Sequence, residues 1–157
     1  MRLTQHTDYA LRMLIQAALR APSLITVSEV ARAFDLSAPH LNKVAQTLAE
    51  HGLLQTVRGR RGGLRLLREP DTIRLGEVVR VTEPDFRLAP CMAADGHPCT
   101  IHRCCDLRHV LEQATKAFLA ELERWTLADM VAQRRPMLLA ITRAERAAPT
   151  KRLAAPS

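Results

Sequence analysis

The chain of 157 residues has few aromatic side chains: one Trp, one Tyr and three Phe. So sparse a set cannot supply the platform on which single-strand DNA or RNA readers stack unpaired bases. Lysine is also scarce, with Lys43, Lys116 and Lys151 the only three among 23 basic residues, so arginine carries nearly all the positive charge. No cysteine precedes Cys91, which excludes a disulfide framework stapling distant parts of the chain. Long uncharged apolar runs are absent, and Arg12 interrupts the first apolar segment, Leu11-Arg12-Met13-Leu14-Ile15. Neither a secretory leader nor a membrane span fits that pattern, so a cytoplasmic, reducing compartment and no membrane partner are expected. There is no internal repeat. The His residues are scattered and form no nucleophile–base–acid grouping, so an enzyme is not expected.

What is present is lopsided charge. The 23 Lys and Arg against 16 Asp and Glu leave a net +7, which suits a polyanionic partner. Residues 1–82 carry 12 basic and 7 acidic side chains while residues 83–157 carry 11 and 9, so +5 of the excess lies in the first half. Guanidinium groups suit phosphate and guanine edges better than ammonium groups do.

Thr4 is placed to cap a helix whose Leu11, Leu14, Ile15, Ala18 and Leu19 follow the i, i+3, i+4, i+7, i+8 spacing, with Ala21-Pro22 ending it. Asp8 falls at the edge of that apolar stripe, a costly place for a carboxylate without a partner, although the helix dipole favours an acid in the first turn. Thr26-Val27-Ser28-Glu29 has the form of a capping box opening a short helix with Val30, Ala31 and Phe34 inward. After Asp35-Leu36, Ser37 caps a third helix in which Pro39 is tolerated in the first turn and Leu41, Val44, Ala45 and Leu48 form the buried stripe. Two short helices joined by a tight turn are a helix-turn-helix pattern. The opposite face of the second helix carries His40, Asn42, Lys43, Gln46 and Thr47, groups able to meet base edges and phosphates in a major groove.

Leu53–Val57 and Leu64–Leu67 read as short strands joined by Arg58-Gly59-Arg60-Arg61-Gly62-Gly63. From Arg58 to Arg68 there are five Arg and no acid. A basic, glycine-rich hairpin straight after a helix-turn-helix is a wing: Gly lets the backbone approach DNA and Arg supplies the attraction. Helix-turn-helix and wing together point to double-stranded DNA, with Ser28 to His51 in the major groove and Arg58 to Gly63 in the neighbouring minor groove.

Leu75–Val81 reads as another short helix, and an irregular stretch runs from Glu83 to about Arg103. From Asp106 the helical pattern returns, with Leu107, Leu111, Ala114, Phe118, Leu122 and Trp125 alternating by three and four residues. These span about 28 Å at ~1.5 Å per residue, enough to lie along a second copy in a homodimer. Two copies suit a palindromic operator with two half-sites. The tail after about Ala144 reads as disordered.

The four cysteines are spaced Cys91-x7-Cys99-x5-Cys105, with Cys104 beside the last. The C-x2-C pairs usual in structural zinc sites are absent, although His97 and His102 could complete a zinc set. Iron–sulfur clusters take thiolates from irregular loops, and this loop leads into a helix N-terminus that favours negative charge. A thiol redox switch is the third reading, and physics alone ranks the three in the order cluster, zinc, switch.

Several segments together carry a resemblance. They are Met1 to Arg12, the wing from Val57 to Leu66, Ile73-Arg74-Leu75-Gly76-Glu77-Val78-Val79-Arg80, the three spaced cysteines, and Phe118 to Met130. Over about residues 1–135 the chain resembles the NsrR-type nitric-oxide-sensing repressors, within the bacterial family of iron–sulfur winged-helix regulators that also contains IscR. The resemblance implies an iron–sulfur cluster, 4Fe-4S ahead of 2Fe-2S, held by Cys91, Cys99 and Cys105, with Asp8 of the other subunit as fourth ligand. Cys104 is extra, the Cys91 to Cys99 loop is longer than the family's, and Arg108 stands where IscR-like members have His.

The expected fold is therefore mainly α with a small β-hairpin. A winged helix-turn-helix domain occupies residues 1–82, a cluster-binding loop 83–105, a dimerisation helix 106–135 and a disordered tail 145–157. The implied function is a homodimeric transcriptional repressor releasing nitrosative-stress genes when nitric oxide reaches the cluster.

Overall fold

The computed structural model describes residues 2–92, 99–101 and 104–147. Helix α1 (Gln5–Arg20) lies at the centre. Thr4 caps it by accepting the Thr7 amide at 3.3 Å, and Ala10, Met13, Leu14, Ala17 and Ala18 bury its apolar face. Helices α2 (Val27–Phe34) and α3 (Ala38–Glu50) pack on that face through Val30, Leu41, Val44 and Leu48. The capping box opening α2 is formed in both directions, Thr26 N–H donating to Glu29 Oε2 at 2.6 Å and Glu29 N–H to Thr26 Oγ1 at 3.2 Å. Asp35 turns the chain in the left-handed region, φ 51°. Ser37 occupies the N-cap position of α3, but its side chain makes no capping hydrogen bond. The first turn of α3 relies instead on Pro at its start, whose missing N–H needs no partner there.

Strands β1 (Leu54–Val57) and β2 (Gly63–Leu66) form the antiparallel hairpin, Leu54 opposite Leu66 and Val57 opposite Gly63. The sequence pattern places the strands one residue outward at Leu53 and Leu67 and begins the second at Leu64. Leu53 turns into the core and its N–H bonds to Leu48 O at 2.9 Å, while Gly63 joins the ladder. Ile25 adds a third partner: its N–H donates to Leu64 O at 3.0 Å and its carbonyl accepts the Leu64 amide at 2.7 Å. A Cβ at Gly63 would stand 2.6 Å from Ile25 O, so glycine permits this close approach.

Helix α4 (Leu75–Thr82) closes the head, and Glu83 at its end accepts the Thr4 amide at 2.8 Å. Helix α5 (Leu107–Glu123) follows the cysteine segment. The expected continuous helix over 106–135 stops at Glu123, short of Trp125. The reason is backbone pairing: Leu75 N–H donates to Trp125 O at 3.0 Å and Leu127 N–H to Ile73 O at 2.9 Å, which draws the chain out of the helix. A second capping box, Thr126 with Asp129, then opens α6 (Leu127–Met130). Leu127 is fully buried in the core formed by residues 10–78, so the head draws on residues beyond 82.

Helix α7 (Arg134–Ala147) corrects the expected tail. Residues 145–147 are helical because Ile141 is buried against Leu19 and Ala33 and Glu145 pairs with Arg20 at 2.8 Å. Residues 148–157 of that expected tail lie outside the described residues. Seven helices and one hairpin among the described residues make the mainly α, winged helix-turn-helix class expected from sequence. Among these residues no helix is long and apolar enough to cross a membrane.

Two tests follow. Gly63→Ala should destabilise the fold by about 1–3 kcal/mol in chemical denaturation, because the hairpin must move off Ile25. The hydroxyl and then the amide of Thr126 hold the Asp129 carboxyl below the ordinary value of 3.8, Arg74 adding less. A depressed folded pKa stabilises above the unfolded value and is lost as pH falls through the folded one. The stability difference between the parent and Asp129→Asn should therefore shrink as pH falls below about 3.8 in acid titration followed by circular dichroism.

Candidate DNA interface and cysteine segment

Helix α3 presents the residues expected to read DNA on one side. Pro39, His40, Asn42, Lys43 and Gln46 are exposed and Thr47 is half-buried, while Leu41, Val44, Ala45 and Leu48 face inward. Ser28 and Ser37 are exposed on α2 and at the α3 N-cap. The outward face is polar without being locked: Gln46 donates to Glu50 at 2.9 Å, and Thr47 back-bonds to Lys43 O at 3.2 Å.

Residues that the sequence pattern does not single out support this face from α1. His6 Nε2 is 3.2 Å from Thr47 Oγ1, and the Tyr9 ring lies 6.5 Å from that of His40. With Gln5, Lys43 and Val44, the side chains of His6, Tyr9 and His40 line a shallow cleft between the helices. Their only sequence signal is the polar flank Gln5, His6, Tyr9 beside the apolar stripe of α1.

At the wing tip Arg58, Gly59, Arg60 and Arg61 are all exposed, and Gly62 and Gly63 are half-buried. Gly59 adopts φ +115°, a region L residues avoid, and its carbonyl accepts the Gly62 amide at 2.9 Å to close the turn. Arg58, Arg60 and Arg61 make no ion pair with any described residue. Farther along, Arg65 is held by Gln55 at 2.9 Å and Arg68 pairs with Glu77 at 2.6 Å. Three guanidinium groups without an ion pair are thus gathered at the tip, where their field reaches into solvent.

All four cysteines are free thiols. Cys91 is half-buried in a single 3-10 turn, Pro90–Met92. Cys99 and Cys104 are exposed, the Cys104 thiol donating to Ile101 O at 3.4 Å, and half-buried Cys105 stands two residues before α5. His97 and His102 lie outside the described residues. Asp8 lies on a partly exposed side of α1, its side chain 44% exposed, where Arg12 donates to its Oδ1 at 3.0 Å. The Arg12 guanidinium in turn sits 5.7 Å over the Phe34 ring at the end of α2. The partner that the edge of the apolar stripe demanded is thus supplied one turn away. Among the described residues no three His, Cys, Asp or Glu side chains gather into a metal-holding group within one chain.

The donor chemistry nonetheless fits an iron–sulfur cluster: soft, unpaired thiols in a turn-rich segment, and an accessible carboxylate. Above this segment α5 buries only Thr115. Leu107 and Val110, each 57% exposed, leave the near end of its apolar stripe uncovered, while Leu111, Phe118 and Leu122 are half-buried.

Comparison with known proteins sets this arrangement in context. Residues 3–133 match the family described as Rrf2, iron-dependent transcriptional regulator. The chain is 44% identical over 132 residues to the HTH-type transcriptional regulator NsrR of Bacillus subtilis, spanning 83% of this chain and 90% of that one. It is 42% identical over 135 residues to NsrR of Geobacillus kaustophilus, spanning 85% and 92%. Among solved structures, T. potens IscR superimposes with a TM-score of 0.66 at 25% identity, covering 85% of this chain and 88% of that chain. The oxidized form of Staphylococcus aureus CymR shares the fold at a TM-score of 0.66 and 21% identity, over 83% and 95%.

Proposed function

The chain belongs to the Rrf2 family of transcriptional regulators, and from that premise we propose that it is a cytoplasmic, homodimeric repressor whose grip on a palindromic operator depends on an iron–sulfur cluster and is released by nitric oxide. The observation that carries this reading is one of placement. All four free thiols lie between the winged head and α5, a helix whose apolar stripe the chain itself leaves open at the thiol-proximal end. A sensor at that junction has the reading head on one side and the dimer contact on the other.

In this reading Ser28, Ser37, Pro39, His40, Asn42, Lys43, Gln46 and Thr47 meet the major groove. Arg58, Gly59, Arg60, Arg61, Gly62 and Gly63 reach the adjacent minor groove, where guanidinium groups are drawn to the enhanced negative potential. Burying Leu107, Val110 and their neighbours against a second copy stabilises the dimer at roughly 25 cal/mol per Å² of apolar surface covered. That pairing spaces two α3 helices for half-sites about 34–36 Å apart.

Cys91, Cys99 and Cys105 would hold the cluster, 4Fe-4S ahead of 2Fe-2S, and Asp8 supplied by the second subunit would complete its ligands. When bound, such a cluster supplies iron at which nitric oxide reacts. The chain's own part is mechanical. Asp8 belongs to α1, on which α2 and α3 pack, so a carboxylate engaged across the dimer ties one subunit's head to the other's cysteine segment. In the isolated chain Asp8 is engaged by Arg12 instead. A difference of about 1–3 kcal/mol between the two arrangements changes operator occupancy by roughly one to two decades.

Protein purified without oxygen should be coloured, and its visible absorption should disappear in Cys91→Ala, Cys99→Ala and Cys105→Ala but persist in Cys104→Ala. A colourless protein with stoichiometric zinc, or one whose DNA affinity follows thiol oxidation alone, overturns the cluster. Replacing Arg60 and Arg61 together with Ala should weaken duplex DNA binding and lower the slope of log affinity against log salt by up to about four per dimer, about two from each wing. An unchanged slope removes the wing from the interface.

A further inference from the structure

The family match ends at residue 133, one position before α7 begins. Helix α7 is nevertheless built into the DNA-reading head. We propose that Ile141 and Glu145 of α7 are positioning residues for the DNA-reading pair α2–α3, and that α7 carries the position of the dimer helix to that pair; the DNA-reading role itself rests on the function proposed above.

Helix α2 has only 8 residues. A helix that short is not stable alone, and its orientation is set by what covers its faces. Val30 faces the main core, whereas Ala33 is buried in a separate cluster with Leu19 of α1 and Ile141 of α7. Phe34, Met137 and Leu138 pack around that cluster, and Phe34 also borders the main core. The small side chain at Ala33 lets α7 lie close against α2, so α7 covers the α2 flank beside Val30.

Polar anchors fix α7 to α1 near both of its ends. At its start the Arg134 guanidinium donates to Ala21 O at 2.9 Å. Near its finish the Glu145 carboxylate accepts from Arg20 through both oxygens, at 3.1 and 2.8 Å, and from Gln16 Nε2 at 3.2 Å. Gln16 is fully buried and its Oε1 has no partner among the described residues. Loss of the carboxylate would leave a second buried amide atom unsatisfied beside a partly buried guanidinium. With its ends held on α1 and its middle on α2, α7 acts as a strut. Only residues 131–133 separate it from α6, and Thr126 and Leu127 of the same passage are locked to residues 73–75. A change in the seating of α5 therefore has a short, constrained route to α2.

The test uses the full chain well below its unfolding temperature. It compares the parent with Ile141→Ala, Glu145→Gln and the charge swap Arg20→Glu with Glu145→Arg. The readouts are amide exchange by element, visible absorption, and affinity for duplex DNA recovered by the parent from a random-sequence pool. Ile141→Ala should speed exchange of the α2 amides and weaken DNA binding by about tenfold, with α4, the hairpin and the absorption spectrum unchanged. Glu145→Gln should act in the same direction more weakly, and the swap should restore both properties. Unchanged α2 exchange, exchange accelerated equally in every element, or DNA affinity within about twofold of the parent overturns the proposal. The exchange measurement needs neither DNA nor cluster, so a colourless parent that binds no DNA defeats the proposed function separately.

Discussion

Burial of α1 is the constraint on which the other elements depend. Its face of Ala10, Met13, Leu14, Ala17 and Ala18 is almost wholly removed from water, and α2, α3, the hairpin, α4 and α6 meet around it. Small residues at three of those five positions allow close approach, so the core is dense and resists gradual deformation. A force on α1 therefore moves packed neighbours with it instead of being absorbed locally. That property makes α1 a suitable place for a carboxylate whose partner could change. Asp8 sits one turn from Arg12, Arg12 lies over Phe34 of α2, and His6 and Tyr9 on the other flank touch α3.

The electrostatics divide along the same lines. Several acidic side chains of the head are engaged: Asp8 by Arg12, Glu77 by Arg68, Glu29 by its capping box and Glu83 by Thr4. The wing-tip arginines have no such partners among the described residues. Exposed ion pairs contribute little to stability, and the pattern is better understood through the field it leaves. Positive charge remains where a phosphate backbone can reach it. The turn closed between Gly59 and Gly62, with the close approach of Gly63 to Ile25, fixes the backbone that carries those arginines.

Conditional DNA binding needs a link between the place where a signal acts and the place where DNA is read. Here the cysteine segment leaves the end of α4, which is bound to the N-cap of α1 through Glu83 and Thr4, and enters α5, whose apolar stripe is exposed at its near end. After α5 the chain returns to the head through Leu127 and then along α7. The head is therefore braced from both sides of the cysteine segment, and neither brace is covered by a head limited to residues 1–82.

Much of this was legible in the amino-acid sequence because it is local. The Thr26–Glu29 capping box, apolar spacing on helices, a glycine-rich turn between short strands and a run of unopposed arginines act over a few residues, and each formed where its residues stand, whereas Ser37 capped by position only. The helix-turn-helix, the wing and the four clustered cysteines follow from the sequence by itself. Tertiary structure alone decided the rest. It stopped α5 at Glu123 because residues 125 and 127 pair with backbone near Ile73, and it placed Ile25 beside Leu64. It gave Asp8 to Arg12 in the single chain and made the expected tail into a helix docked on α1 and α2. Such contacts join residues up to 129 positions apart, as between Gln16 and Glu145. Their strength comes from surfaces that exist only after the core has formed, so no short stretch of sequence carries their signature.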